Sequence, residues 1–95
     1  MTYKLKFLPS ALKEWKNLDS SIKHQLKKKL SERLQHPHVT SAQLFGYVNH
    51  YKIKLRTSGY RLVYEVIDNE FVVLVIVIGK RERGTVYSTL KKRSK

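Results

Sequence analysis

The residues with the clearest chemistry in this sequence are cations at alternate positions of a short run. Residues 51–56 read Tyr-Lys-Ile-Lys-Leu-Arg. Successive side chains of a strand point to opposite faces, so Lys52, Lys54 and Arg56 would share one face and the apolar residues the other. Like charges on one face repel each other, and a face made only of cations therefore indicates an anionic ligand. Because Arg and Lys both bind phosphate, we infer a phosphate-binding surface.

Further cations are expected to join this surface through the hairpin and the strand that follows it. A turn at Ser58 and Gly59 would place Arg56 opposite Arg61, and directly opposed residues share a face. A four-residue loop keeps the same faces, whereas a three-residue loop does not. The next strand runs back towards this turn, and Tyr87 follows it. The cations expected near one another are Lys52, Lys54, Arg56, Arg61, Lys80, Arg81 and Arg83.

The overall charge favours a polyanionic partner. Twenty Lys and Arg stand against seven Asp and Glu, which gives a net charge of +13, and such a charge attracts nucleic acid over long distances. An acidic protein partner fits the same charge. The 95 residues predict one domain, 1–95. With no Cys and no apolar run long enough to span a membrane, we expect a soluble, cytoplasmic protein.

The elements that must position these residues follow from periodicity. Alternation at the N-terminus predicts a first strand, and Pro9 suits the first turn of a helix. Apolar residues from Leu12 and from Ile22 recur at helical spacing, which predicts two helices, the second ended by Pro37. We expect these helices to form an antiparallel hairpin. A short C-terminal helix begins near Thr85.

Three strands follow the helices, at about 50–57, 60–67 and 71–79. The last of them is apolar on both faces, which predicts a central strand covered on both sides. The predicted fold class is therefore α+β, in the order β-α-α-β-β-β. It consists of a small, mostly antiparallel sheet with an N-terminal helical hairpin on one face and a short C-terminal helix.

Other chemistry is less well supported by the residue types. The four His residues are spread over a helix, a loop and a strand start, which does not suit a pair for acid–base cleavage of RNA. No Cys, His or carboxylate cluster has metal-ligand spacing, and we predict no metal and no cofactor. Composition alone also leaves open a solvated basic surface that binds RNA without catalysis.

Three segments of the chain carry a resemblance to a known family. The run at 51–56, the segment Ser58–Tyr64 and the segment from Gly79 to Arg83 with Tyr87 closely resemble RelE toxins. These are ribosome-dependent mRNA interferases of the RelE/ParE superfamily, and the resemblance covers essentially the whole chain. It implies that superfamily's fold and cleavage of mRNA within the codon in the ribosomal A site. By position, it implies an active site made of Lys52, Lys54, Arg61, Arg81 and Tyr87.

The resemblance also implies partners. These are mRNA, the ribosome with its ribosomal RNA, and a cognate acidic RelB-like antitoxin, through which operator DNA would be contacted. ParE-like members of the superfamily poison DNA gyrase without the nuclease residues, so the fold alone leaves that alternative open. Basic helix residues are expected either to contact ribosomal RNA phosphates or to form a solvated face: Lys13, Lys23, Lys27, Lys28 and Lys29.

The implied reaction assigns roles to the cationic side chains. In-line attack by the 2′-hydroxyl needs a base, an acid for the leaving 5′-oxygen, and positive charge at the phosphorane. Crowded cations favour loss of a proton from a neighbouring Lys or Tyr, so Lys54 or Tyr87 is the candidate base. Arg81 or Lys52 would serve the leaving group, and Arg61 would hold the phosphate. Tyr87 stacked on a nucleobase is the alternative role.

Overall fold

The helices and strands occur in the order that the sequence predicts. The structure, a computed structural model, describes residues 2–80 and 85–93. Pro9 opens the first helix, and the second helix ends shortly before Pro37. The bounds are β1 (Lys4–Phe7), α1 (Pro9–Lys16), α2 (Ser20–Gln35), β2 (His50–Lys54), β3 (Tyr60–Ile67), β4 (Val72–Lys80) and α3 (Thr85–Arg93), with short 3₁₀ turns at Thr40–Ala42 and Asp68–Glu70.

The strands form one sheet in the order β1-β4-β3-β2. β2 and β4 are antiparallel to β3, whereas β1 pairs with β4 in parallel. The predicted mostly antiparallel sheet is thus confirmed, and β4 lies inside it as its two-sided apolar pattern predicts. The parallel pairing of the first and last strands has no counterpart in the sequence pattern, because periodicity carries no information on strand order.

Different elements cover the two faces of the sheet. On one face, Leu26 and Leu30 of α2 and Ala11 of α1 pack with Ile53 and Tyr64, which confirms that the helical pair lies on one side. On the opposite face, the buried residues Val86 and Leu90 of α3 pack with Val63 and Val77. The loop residue Leu44 joins this second cluster. Burial of apolar area against both faces is the main source of stability in a chain without disulfides.

A β-bulge interrupts the middle of β4. Val63 pairs with Val77 and Tyr64 pairs with Val75, so the residue between them has no partner in β3. The extra residue reverses the alternation of side chains along the strand. Ile76 and Val77 therefore both face α3, whereas Val75 and Ile78 face α1 and α2.

The predicted register of the β2–β3 hairpin is wrong by two residues. β2 ends at Lys54 rather than near 57, and Lys54, not Arg56, lies opposite Arg61. The connection is a four-residue loop, 56–59, closed by a hydrogen bond from the Leu55 N–H to the Tyr60 carbonyl at 2.8 Å. Gly59 has φ of +78° there, a conformation that glycine adopts without steric cost. Since the shift is an even number of residues, the side chains of β2 and β3 still lie on the predicted faces of the sheet.

Candidate active site

The centre of the cationic face is a contact between Arg61 and Tyr87. Arg61 Nη1 donates a hydrogen bond to the Tyr87 hydroxyl over 2.8 Å. The Arg61 guanidinium carbon also lies over the Tyr87 ring, 5.6 Å from its centre, which is within the range of a cation–π contact. Both side chains are half-buried. The structure thus confirms that β3 and the C-terminal helix bring these two residues together.

A glycine in β4 lets α3 come close enough for this contact. Gly79 lies opposite Arg61 in the sheet. A Cβ built at that position would lie 3.2 Å from Cγ2 of Val86, which is tighter than ordinary van der Waals contact. Val86 is buried and directly precedes Tyr87 in the chain. The missing side chain at position 79 therefore sets the depth at which the first turn of α3 packs on the sheet.

Lys54 and Lys52 lie on the same face of β2 as predicted. Lys54 is exposed and lies directly opposite Arg61. Lys52 is half-buried and lies opposite Val63, which belongs to the cluster that α3 covers. Arg56 lies in the hairpin loop instead of the strand and lines, with Lys54, Tyr60 and Arg61, a cavity of about 310 Å³. The loop therefore keeps Arg56 beside the face, although not at the predicted position.

A hydrogen-bonded arginine that the sequence interpretation missed holds β2 in place. Arg33 at the end of α2 donates from Nη1 to the Lys52 carbonyl at 3.2 Å and to the Tyr64 hydroxyl at 2.9 Å. Tyr64 in turn donates to the Pro37 carbonyl at 2.8 Å. Burial raises the pKa of the Tyr64 phenol, and the Arg33 charge acts in the opposite direction. These bonds satisfy polar groups inside the core and fix the backbone of β2 next to Lys52.

The remaining predicted cations lie elsewhere. Lys80 lies opposite Tyr60, on the face away from Arg61, with its Nζ atom 5.6 Å from the centre of the Tyr60 ring. This face belongs to α1 and α2, which also carry the predicted helix cations: Lys13, Lys23, Lys27, Lys28 and Lys29. All but Lys23 are exposed, and Lys23 is half-buried. The predicted site residues Arg81 and Arg83 lie outside the described residues.

Within residues 2–80 and 85–93, no group of three or more His, Cys, Asp or Glu side chains has an arrangement that holds a metal ion. In the same part of the chain, no helix has the length and apolarity needed to cross a membrane.

The sequence also did not predict an ion pair at the C-terminal end of α3. Arg93 in the last turn of α3 pairs with Glu14 of α1 at 3.0 Å. The two residues are 79 positions apart, so no local sequence signal could connect them.

The chain is similar to known proteins over nearly its whole length. The family model for the ParE toxin of the type II toxin-antitoxin system parDE matches residues 5–84. The mRNA interferase toxin RelE of Escherichia coli (strain K12) is 56% identical over 93 residues, which cover 98% of this chain and 98% of that protein. A double arginine-to-alanine mutant of E. coli toxin RelE in the free state has a TM-score of 0.92 at 53% identity, covering 100% of both chains.

A second solved structure includes a partner of such a toxin. In the crystal structure of the intact E. coli RelBE toxin-antitoxin complex, the matching chain is 56% identical with a TM-score of 0.83. The match covers 85% of this chain and 99% of that chain. From the family model and from identity over nearly the full length, the chain belongs to the RelE/ParE family of type II toxins, on its RelE side.

Proposed function

We propose that this toxin is an endoribonuclease that cleaves mRNA in the ribosomal A site and so stops translation in the cytoplasm. The observation that carries the proposal is the hydrogen bond between Arg61 and Tyr87, next to Lys54 on a cationic face. Its relatives include proteins named mRNA interferase RelE. The positions that match the RelE motif are Lys52, Lys54, Arg61, Arg81 and Tyr87.

The proposed reaction is an in-line displacement at phosphorus. The 2′-oxygen of one nucleotide attacks the adjacent phosphate and gives its proton to a base, for which Lys54 and Tyr87 are the candidates. The bond from phosphorus to the 5′-oxygen breaks. Arg81 or Lys52 stabilises the negative charge on that oxygen, which takes up a proton from this residue or from water. The products are a 2′,3′-cyclic phosphate and a 5′-hydroxyl. Arg61 holds the phosphate, since its planar donors match two phosphate oxygens.

The ribosome has a physical role in this proposal. Lys and Tyr normally titrate near pH 10, so a site built from them has no strong base at neutral pH. Most of the rate must then come from holding the 2′-oxygen, phosphorus and 5′-oxygen in line. A ribosome that bends the codon supplies this geometry. Five lysines of α1 and α2, on the other face of the sheet, are proposed to contact ribosomal RNA phosphates: Lys13, Lys23, Lys27, Lys28 and Lys29.

The proposed inhibitor is an acidic antitoxin of the RelB type. The E. coli relative has been crystallised in a RelBE complex, and the net charge of +13 favours an acidic protein partner. Such an antitoxin would neutralise the cationic face, and operator DNA would be contacted through the complex of the two proteins. Electrostatic attraction of this kind accelerates association more than it adds affinity.

The test is primer extension on an mRNA bound to purified, programmed ribosomes. Wild-type protein is expected to give cuts within the A-site codon. Arg61→Ala and Arg81→Ala are each expected to reduce cleavage by at least about 10²-fold, as loss of a phosphate-stabilising donor does in other enzymes. Lys16→Ala removes an exposed cation of α1 that has no assigned role and is expected to cleave as wild type does.

Intact mRNA with folded wild-type protein would contradict the proposal. A parallel assay of DNA supercoiling by gyrase separates the alternative that ParE-like relatives represent. Loss of gyrase activity without mRNA cleavage would establish that alternative. Unchanged cleavage by both arginine variants would place the reaction at other residues.

A further inference from the structure

The polar contact between α1 and the end of α3 is built from an unusually complete set of hydrogen bonds. Oε1 of Glu14 accepts hydrogen bonds from the Ile78 N–H and from Nη1 of Arg93, both at 3.0 Å. Oε2 of Glu14 accepts from Nη2 of Arg93 at 3.0 Å. Nη1 of Arg93 also donates to the Ile76 carbonyl at 2.8 Å. The two side chains are only 31% and 21% exposed, which strengthens a paired arrangement of this kind.

The location of this pair in the sheet explains its partners. β1 pairs with β4 only as far as Phe7 opposite Val75, and the Leu8 N–H to Val75 carbonyl bond at 3.0 Å follows it. Beyond that point β1 provides no further strand neighbour for the backbone of β4. The carboxylate of Glu14 accepts from the backbone of β4 and the guanidinium of Arg93 donates to it, as a neighbouring strand would. The bulge residue Ile76, which has no partner in β3, is one of the groups satisfied in this way.

The positive charge at the end of α3 favours a negatively charged partner such as Glu14. The last turn of α3 contains Lys91, Lys92 and Arg93, and the chain has a net charge of +13. A helix end with three cations is repelled by such a protein unless a negative charge lies beside it. Glu14 is one of seven acidic residues in the chain, and it lies where it neutralises this helix end.

The same helix carries Tyr87 at its other end. The six residue steps from Tyr87 to Arg93 correspond to a rise of about 9 Å. Val86 and Leu90 of this helix are held by apolar packing, which is non-directional and permits small rotations or slides. Directional bonds exist at both ends, from Arg61 to Tyr87 and from Arg93 to Glu14 and β4. The second set fixes the rotation and register that the apolar contacts leave free.

We propose that Glu14 and Arg93 are positioning residues for Tyr87: they lock α3 onto β4 so that the Tyr87 hydroxyl stays at Arg61. This inference rests on the proposed function for its catalytic consequence, but the positional claim concerns the free protein. It assigns a part in the active site to α1, a helix whose buried residue Ala11 packs on the opposite face of the sheet.

The test compares Arg93→Gln and Glu14→Gln with a matched control. Lys92→Gln removes one charge from the same turn of α3 at an exposed position without breaking the pair. Each variant is measured for thermal unfolding, ribosome binding and single-turnover cleavage at saturating toxin. We expect Arg93→Gln to slow cleavage between about 10-fold and 10²-fold, the range in which small misplacements act, with ribosome binding unchanged. Lys92→Gln is expected to match wild type.

A double-mutant cycle with Tyr87→Phe separates positioning from general destabilisation. If the pair acts through the Tyr87 hydroxyl, Arg93→Gln changes cleavage by less than about twofold in the Tyr87→Phe background. Equal effects of Arg93→Gln in both backgrounds would overturn the inference. The exchanged pair Glu14→Arg with Arg93→Glu is expected to recover part of the rate lost in either single charge-reversed variant.

A measurement without RNA keeps this inference separate from the proposed function. The ring signals of Tyr87 in the NMR spectrum, assigned through Tyr87→Phe, are expected to shift in Arg93→Gln and Glu14→Gln and to stay in place in Lys92→Gln. Unshifted Tyr87 signals in folded Arg93→Gln would refute the positional claim even if wild-type protein cleaves mRNA. If wild-type protein does not cleave, shifted signals would still support the lock while the proposed function fails.

Discussion

Tyr87 offers two different groups to the cationic face, and the choice between them decides its chemical role. Its hydroxyl accepts a hydrogen bond from Arg61 at 2.8 Å, which suits a group that loses or relays a proton. Its half-buried ring is also able to stack on a nucleobase, which would only orient the RNA. The hydrogen bond from Arg61 is made to the hydroxyl, and this favours the proton-transfer role.

Tyr87→Phe tests the role of the hydroxyl, since phenylalanine keeps the ring. We expect single-turnover cleavage on programmed ribosomes to fall by about 10² to 10⁴-fold, the usual contribution of a general acid or base. Thermal unfolding measured beside it provides the control that α3 still packs. A rate close to that of wild type would instead assign Tyr87 to stacking.

Asp68 makes a pH-dependent contribution to the stability of the fold. It lies in the turn before β4, at the end of that strand away from Gly79. Its Oδ1 accepts a hydrogen bond from the Tyr3 hydroxyl at 2.7 Å, and its Oδ2 lies 3.1 Å from Nε2 of His38. These hydrogen bonds, that of Tyr3 first, lower the pKa of the Asp68 carboxyl. A carboxyl with a lower pKa in the folded state stabilises the fold above its unfolded pKa. That contribution is lost as the pH falls through the folded pKa.

We therefore expect Asp68→Asn to be less stable than wild type near neutral pH and to approach it at acid pH. Urea unfolding from about pH 7 to about pH 3 measures the difference in the free energy of unfolding between the two proteins. The difference is expected to shrink only in the acidic part of this range. A difference that is constant over the whole range would show that the loss of charge at Asp68 has no part in it.

At the scale of elements, the site depends on how deeply α3 packs on the sheet. Gly79 lies opposite Arg61, and its position leaves room for Val86 of α3. The first turn of α3 is thus joined to the sheet by a steric fit at Gly79 of β4 as well as by the bond from Arg61, near the start of β3, to Tyr87. A helix displaced outward by even a fraction of an ångström would lengthen that bond.

Gly79→Ala is expected to push α3 outward, because the new methyl group would lie 3.2 Å from Cγ2 of Val86. Overpacking of this kind costs about 1–3 kcal/mol of unfolding free energy, and we expect cleavage to slow with it. Val86→Ala in the same molecule removes the clash, so the double variant is expected to be more active and more stable than the two single effects predict. Urea unfolding and cleavage rates check this. Strict additivity would contradict the proposed fit.

Sequence periodicity predicted the faces of the elements better than their connections. Lys52, Lys54 and Arg61 share a face as predicted, because a register error of two residues preserves alternation. The predicted position of Arg56 was wrong, because turn residues at 58–59 do not reveal whether a hairpin loop has two or four residues. The bulge at Ile76 could not be predicted, because it lies within an unbroken run of apolar residues. Long-range contacts such as Glu14 with Arg93 depend on strand order, which alternation does not encode.

At the scale of the whole molecule, the sheet separates two cationic surfaces. One carries the proposed site with Lys54 and Arg61, and the other is formed by α1 and α2, with Lys27 and Lys28 exposed on α2. A mixed sheet covered on both faces is a rigid support, so the two surfaces keep a fixed relation to each other. This arrangement suits a protein that contacts mRNA with one surface and ribosomal RNA with the other, and it makes the binding role of α2 separately testable.

The salt dependence of ribosome binding decides whether the cations of α2 contact phosphate or border solvent. Each phosphate contact to single-stranded nucleic acid contributes about −0.7 to the slope of log K against log salt concentration, and about −0.9 in a duplex. We expect Lys27→Gln and Lys28→Gln each to weaken binding and to reduce the magnitude of this slope by about one. Lys16→Gln, at an exposed position of α1, is expected to leave the slope unchanged. A wild-type slope in the α2 variants would mean that these lysines form a solvated face, and the ribosomal contact would then have to lie on the surface that carries Arg61.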